Sequence, residues 1–159
     1  MGALRASARK QSHGAAAVEF ALVVPLLLVL LFGIISYGYM LSFRQSISQG
    51  AAEGARQAAL APPIVSSADK TQRARDAINQ ALGSYGVTCS GADLLRGGQK
   101  VGACVIAVAA ACPGDARRSC TTVRLDYSYR QNPLIPTVPG LGAALPRYLS
   151  FTSVAQANG

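Results

Sequence analysis

The chain has 159 residues, half of them hydrophobic, with fifteen Lys and Arg against seven Asp and Glu, a formal net charge of +8, four Cys and one His. That length accommodates one membrane segment and one small domain, so the apolar fraction does not describe a large soluble core. Three of the positive charges fall in the first ten residues and the others are spread out, with no basic and aromatic platform, which excludes a reader of nucleic acid.

Met1 to His13 is polar and basic, carrying Arg5, Arg9 and Lys10 without periodicity, and is expected not to fold. From Phe20 to Phe43 no residue is charged. At about 1.5 Å per residue this run exceeds the roughly 30 Å of a hydrocarbon core, so a membrane-spanning helix is expected. The basic residues ahead of it, against Arg44 alone close behind, place the N-terminus in the cytoplasm and the C-terminal part outside. Pro25 is expected to remove a backbone hydrogen bond and kink or unwind a turn.

Glu19 stands at the N-terminal edge of this run. A carboxylate at the lipid boundary is costly without a partner, and calls for a cation. Three readings compete: an unprocessed anchor, a signal peptide cut near the poor site Ser36-Tyr37-Gly38, and cleavage ahead of the helix at Gly14.

From Ser42 to Leu60 the pattern stays helical while polar residues enter, with Glu53 and Arg56 at an i, i+3 spacing. A single rod of about 60 Å from Ala17 to Leu60 is expected. Gly50, Gly54 and Ala58 make a small-residue series that permits close approach of another helix. Pro62-Pro63 ends the helix.

The run Gly14-Ala15-Ala16-Ala17-Val18-Glu19-Phe20 resembles a type IV prepilin processing site. With Ala21 to Leu31, Arg44-Gln45 and Gly50 to Arg56, it resembles more narrowly the TadE-like family of tight-adherence pilus systems, densely over Arg9 to Leu60. The resemblance implies a pseudopilin of the inner membrane, cleaved between Gly14 and Ala15 by a prepilin peptidase and used in assembling or secreting a Flp-type IVb pilus. Its implied partners are other pilins or pseudopilins and the Tad secretion machinery. Independently of the family, a freed amine at Ala15 would lie one helical turn from Glu19, at the i, i+4 spacing that puts both on one face. In an assembly the carboxylate would meet the amine of a neighbouring subunit and so set axial register.

Ser66-Ser67-Ala68-Asp69 offers an N-cap, and Ala74, Ile78, Ala81, Leu82 and Tyr85 form an apolar stripe, predicting a second helix over Ala68 to Leu82. Gly83 and Gly86 are its stops. Cys89 to Lys100 reads as a Gly-containing loop. Val101 to Ala111 reads as a strand, Pro113-Gly114-Asp115 as a turn and Thr121 to Arg130 as a strictly alternating strand. A loop punctuated by Pro133, Pro136, Pro139, Gly140, Gly142 and Pro146 leads to a third strand, Tyr148 to Ala155. The expected fold is α+β: a long N-terminal transmembrane helix extending outward as a stalk, a second helix and a small antiparallel three-stranded sheet. The expected division is a prepilin-type leader over 1–14, a transmembrane and stalk helix over 15–60, and a periplasmic or extracytoplasmic head over 61–159.

Cys89, Cys104, Cys112 and Cys120 all fall outside the membrane on this reading. With no Cys-x-x-Cys and no His beside them, no metal is expected, and an even count in an oxidising compartment favours two disulfides. Of three connectivities, Cys112 with Cys120 faces across the hairpin turn and Cys89 with Cys104 ties the second helix's exit to the first strand. No catalytic residue or cofactor is expected: His13 lies in the leader, and Asp93, Asp115 and Asp126 are scattered over loop, turn and strand. Two classes of function follow, a structural component of an envelope filament machine, or an unprocessed anchored domain that binds a ligand or cell-wall polymer.

Overall fold

The computed structural model describes the backbone of residues 6–136 and 145–157, and the side chains of residues 14–136 and 145–157. It divides into two compact units, Met1–Gly38 and Tyr39–Gly159. Pro139, Gly140 and Gly142 of the Pro-rich loop lie outside the described residues.

Helix α1 (Ala6–Ala59) supplies the described part of the first unit and the opening element of the second. Its start at Ala6 departs from the expectation that the segment up to His13 would not fold. Residues 6–13 contain neither Gly nor Pro, and extending an existing helix adds one bond per residue without a nucleation cost. The helix also passes through Pro25 with no unwound turn, although the carbonyl of Ala21 loses its usual donor there. In the first unit Phe20, Leu22, Leu26 and Ile34 are exposed.

In the second unit the polar, solvated stalk expected beyond Ser42 is instead half core. Met40, Phe43, Ile47, Ala51, Ala55 and Ala58 are buried at helical spacing. Helix α2 (Ser67–Leu82) begins at Ser66, whose hydroxyl oxygen accepts the Asp69 N–H at 3.1 Å as an N-cap and whose O–H donates to the Asp69 carboxylate at 2.7 Å. It buries Ala74, Ile78 and Leu82. A short turn of tighter helix, Gly83–Tyr85, ends at Gly86, which takes the left-handed conformation with φ +69°.

The sheet has five antiparallel strands in sequence order rather than three: β1 (Val87–Ser90), β2 (Asp93–Arg96), β3 (Gln99–Cys112), β4 (Asp115–Tyr127) and β5 (Leu149–Gln156). The two additional strands form in the stretch expected to be loop. Each is only four residues long, too short to show periodicity; Gly91-Ala92 turns β1 into β2, and Gly97 and Gly98, with φ of +57° and +80°, turn β2 into β3 as the paired left-handed residues of a two-residue hairpin. β3 and β4 extend to the Pro113-Gly114 turn, while β4 stops at Tyr127 and the residues to Arg130 turn away. Val123, Leu125 and Tyr127 are buried on one face, whereas Arg124 points to the exposed face. Gly102 is required where β3 crosses β4: a Cβ there would overlap the Asp126 carbonyl oxygen.

One core joins these elements. Phe43 and Ile47 of α1, Ile78 and Leu82 of α2, and Val87, Leu94, Val101, Val123, Leu125, Tyr127 and Leu149 of the sheet form a single cluster. Both helices therefore cover one face of the sheet, and the opposite face, with Val105, Arg124, Thr152 and Val154, is exposed.

Candidate functional site

The sequence singles out Gly14, Ala15 and Glu19, and all three lie exposed on α1. Glu19 makes no hydrogen bond or ion pair among the described residues. Four residues separate it from Ala15, so the two occupy one helix face about a turn apart. C-terminal to Glu19 the exposed side chains are Phe20, Leu22, Val23 and Leu26 onward. At roughly 25 cal/mol per Å² of apolar surface, such a helix is stable only against lipid or other helices. The described residues contain one helix long and apolar enough to cross a membrane.

The half of α1 that belongs to the head is held by close contacts. Gly50 and Gly54 face α2: a Cβ on Gly50 would stand 3.2 Å from the Ala81 Cβ, and one on Gly54 3.0 Å from the Ile78 Cγ1. The small-residue series thus serves an approach of helices inside the chain. Phe43 packs edge-on to Tyr127, ring centres 4.8 Å apart, and against Tyr85 at 4.9 Å. The Ser42 and Tyr85 hydroxyls share a hydrogen bond of 2.7 Å. Glu53 and Arg56 pair at 2.6 Å on the exposed side, and Gln57 donates to the same carboxylate at 2.6 Å.

The four cysteines form two bonds, Cys89 with Cys104 and Cys112 with Cys120. The first lies in the core and bridges β1 to β3 across β2, with Cα atoms 5.9 Å apart. The second clamps the outer end of the β3 and β4 hairpin, Cα atoms 4.9 Å apart. By loop entropy the two closures stabilise the head by about 3 and about 2.5 kcal/mol.

Burial pushes the Tyr127 phenol above its ordinary pKa of 10.0, and Arg96 opposes that rise less strongly. Its hydroxyl donates to the Asn132 carbonyl at 2.9 Å. Arg96 itself donates to the carbonyls of Pro133 and Leu134 at 3.1 and 3.3 Å, fixing the chain after β4 to the sheet.

Sequence reasoning missed Asn79, whose side chain secures the outer edge of β1. The Cys89 N–H donates to Asn79 Oδ1 at 2.6 Å, and Asn79 Nδ2 donates back to the Cys89 carbonyl at 3.4 Å. An Asn on the polar side of an amphipathic helix gives no warning of this, because β1 itself was not visible.

These features define a class of protein first: a disulfide-bonded α+β head built around the distal half of a helix whose proximal half is of membrane-spanning length and composition. The family model described as TadE-like protein matches residues 14–56, a little over a quarter of the chain, beginning at Gly14 and ending at Arg56, and over this segment the chain is similar to the TadE-like family. No curated protein and no solved structure matches the chain.

Proposed function

We propose that this chain is a pseudopilin that helps assemble or secrete a tight-adherence, Flp-type pilus, with a structural rather than catalytic role. A prepilin peptidase removes the leader at Gly14 on the cytoplasmic face of the inner membrane, and the head stands in the periplasm. The observation that carries this reading is the TadE-like match, which begins at Gly14 and takes in an exposed Glu19, one turn beyond Ala15 and without a partner among the described residues. A new amine at Ala15 supplies the cation that Glu19 lacks, within the same subunit or from its neighbour. Pairing at the lipid boundary offsets the desolvation of both charges and fixes the axial position of one helix against the next. Other pilins and the Tad secretion machinery are the partners of that helix.

The test is the N-terminal sequence of the protein recovered from membranes of cells expressing a prepilin peptidase. Ala15 as first residue is expected, with Glu19→Ala still processed but no longer recruited to the pilus machinery. An N-terminus at Met1 or Gly2 in the presence of active peptidase would reduce the protein to an unprocessed anchored domain.

A further inference from the structure

The two edges of the sheet are treated differently. At β1 the outward backbone groups of Cys89 are both bonded by Asn79, so that edge is closed by a side chain acting as a short strand. β5 has twice the length, and no described element pairs with its outer edge. The Ala157 N–H donates to the Ser119 carbonyl at 2.9 Å, and the β4 and β5 register keeps the same residue sum along the ladder. In an antiparallel pair alternate residues bond the neighbour. The odd-numbered residues of β5 therefore bond β4, and the N–H and C=O groups of Ser150, Thr152, Val154 and Gln156 face away from it.

Natural edge strands are kept from pairing by charges, Pro, bulges or shortness. β5 has none of these protections: Leu149 to Ala157 contains no charged residue and no Pro, and the ladder to β4 runs without a register shift. Beside it lies an open groove of about 530 Å³ lined by Leu41, Arg44, Gln45, Ser48 and Gln49 of α1 and by Phe151. Leu41 and Phe151 are its apolar lining residues, and its one charge is Arg44, exposed and without a hydrogen bond or ion pair among the described residues.

We propose that the outer edge of β5 receives an extended segment of a partner protein as a sixth strand, with an acidic side chain of that segment meeting Arg44. Main-chain bonds to Ser150, Thr152, Val154 and Gln156 supply the attachment. Phe151 and Leu41 take an apolar side chain, and Arg44 selects against basic segments. This surface belongs to the head, and its use does not depend on whether the leader is cut at Gly14.

The test uses the full chain in detergent micelles and two synthetic peptides of about ten residues, alternating Val and Thr with either a central Asp or a central Lys. The Asp peptide is expected to bind about tenfold more tightly than its Lys twin, and Arg44→Glu to reverse that order. On binding, amide exchange should slow at Ser150, Thr152 and Val154. Thr152→Pro removes an outward N–H without touching the ladder to β4, so binding should be lost while thermal melting stays unchanged. Should that variant misfold, Val154→Pro makes the same deletion one step along. Absence of binding, binding that leaves the β5 amides unprotected, or binding indifferent to a well-folded Pro variant would overturn the proposal. So would protection that rises with protein concentration alone, which would give the edge to a second copy.

Discussion

Gly54 and Ile78 are in contact across the two helices at a distance that leaves no room for a side chain on the first: a Cβ there would stand 3.0 Å from the Ile78 Cγ1 and 3.1 Å from the Ala74 carbonyl oxygen. Gly54→Val should therefore force the helices apart and destabilise the head by about 1 to 3 kcal/mol. Gly33→Ala, at a position where an added Cβ meets nothing within 4 Å, should leave head stability unchanged. Thermal melting of the full chain in detergent measures both. An equal loss at the two positions would contradict the packing described.

The two disulfides should differ in their worth. Replacing Cys89 and Cys104 together by Ala opens the longer loop and leaves a void in the core, so a loss of about 3 kcal/mol or more is expected. Replacing Cys112 and Cys120 opens a loop of half that separation at the hairpin end, and should cost less. Denaturant midpoints under non-reducing conditions give the order directly.

Asn79→Ala should leave the Cys89 N–H and carbonyl without their present partners. A cost of about 1 to 3 kcal/mol follows for a buried group left unsatisfied, less where water reaches the edge. Hydrogen exchange should quicken at Cys89 while the β4 amides keep their protection.

Alkaline pH should weaken the head through its buried phenols. Desolvation raises Tyr127 above 10.0, and burial together with the neighbouring Tyr127 and Tyr39 raises Tyr129, so the folded state holds these protons more tightly than the unfolded chain. Stability from this source is complete below the ordinary phenol pKa and is lost as pH climbs toward the folded values. Melting temperature should fall across that window, and less so in Tyr127→Phe, as tracked by calorimetry alongside the ultraviolet absorbance of tyrosinate.

The parts of the fold that were legible in the sequence are those with a strong local signal. The uncharged run from Phe20 to Phe43, the Ser66 cap, the stripe of Ala74, Ile78 and Leu82, and the alternation of Val123, Leu125 and Tyr127 each state their structure within a dozen residues. Strands β1 and β2 are hidden because four-residue strands show no period, although Gly97-Gly98, which joins β2 to β3, is a hairpin turn when read with its neighbours. The burial of one face of the second half of α1 is hidden for a different reason. Its buried face is made mainly of Ala and Gly, whose hydropathy is weak, and only the spacing of Gly50, Gly54 and Ala58 marked it as a surface for close packing. That spacing named the kind of contact without naming the partner, which proved to be the chain's own second helix.

Because Phe43, Ile47, Ala51 and Ala55 are core residues, the head has no existence separate from them. A soluble fragment begun after the Pro62-Pro63 break would carry an open trench where these side chains belong, with Tyr127 and Ile78 bare along its floor. A usable truncation has to retain the helix from Tyr39 onward, so any cut that removes the apolar run while leaving the head folded must fall on the N-terminal side of that tyrosine.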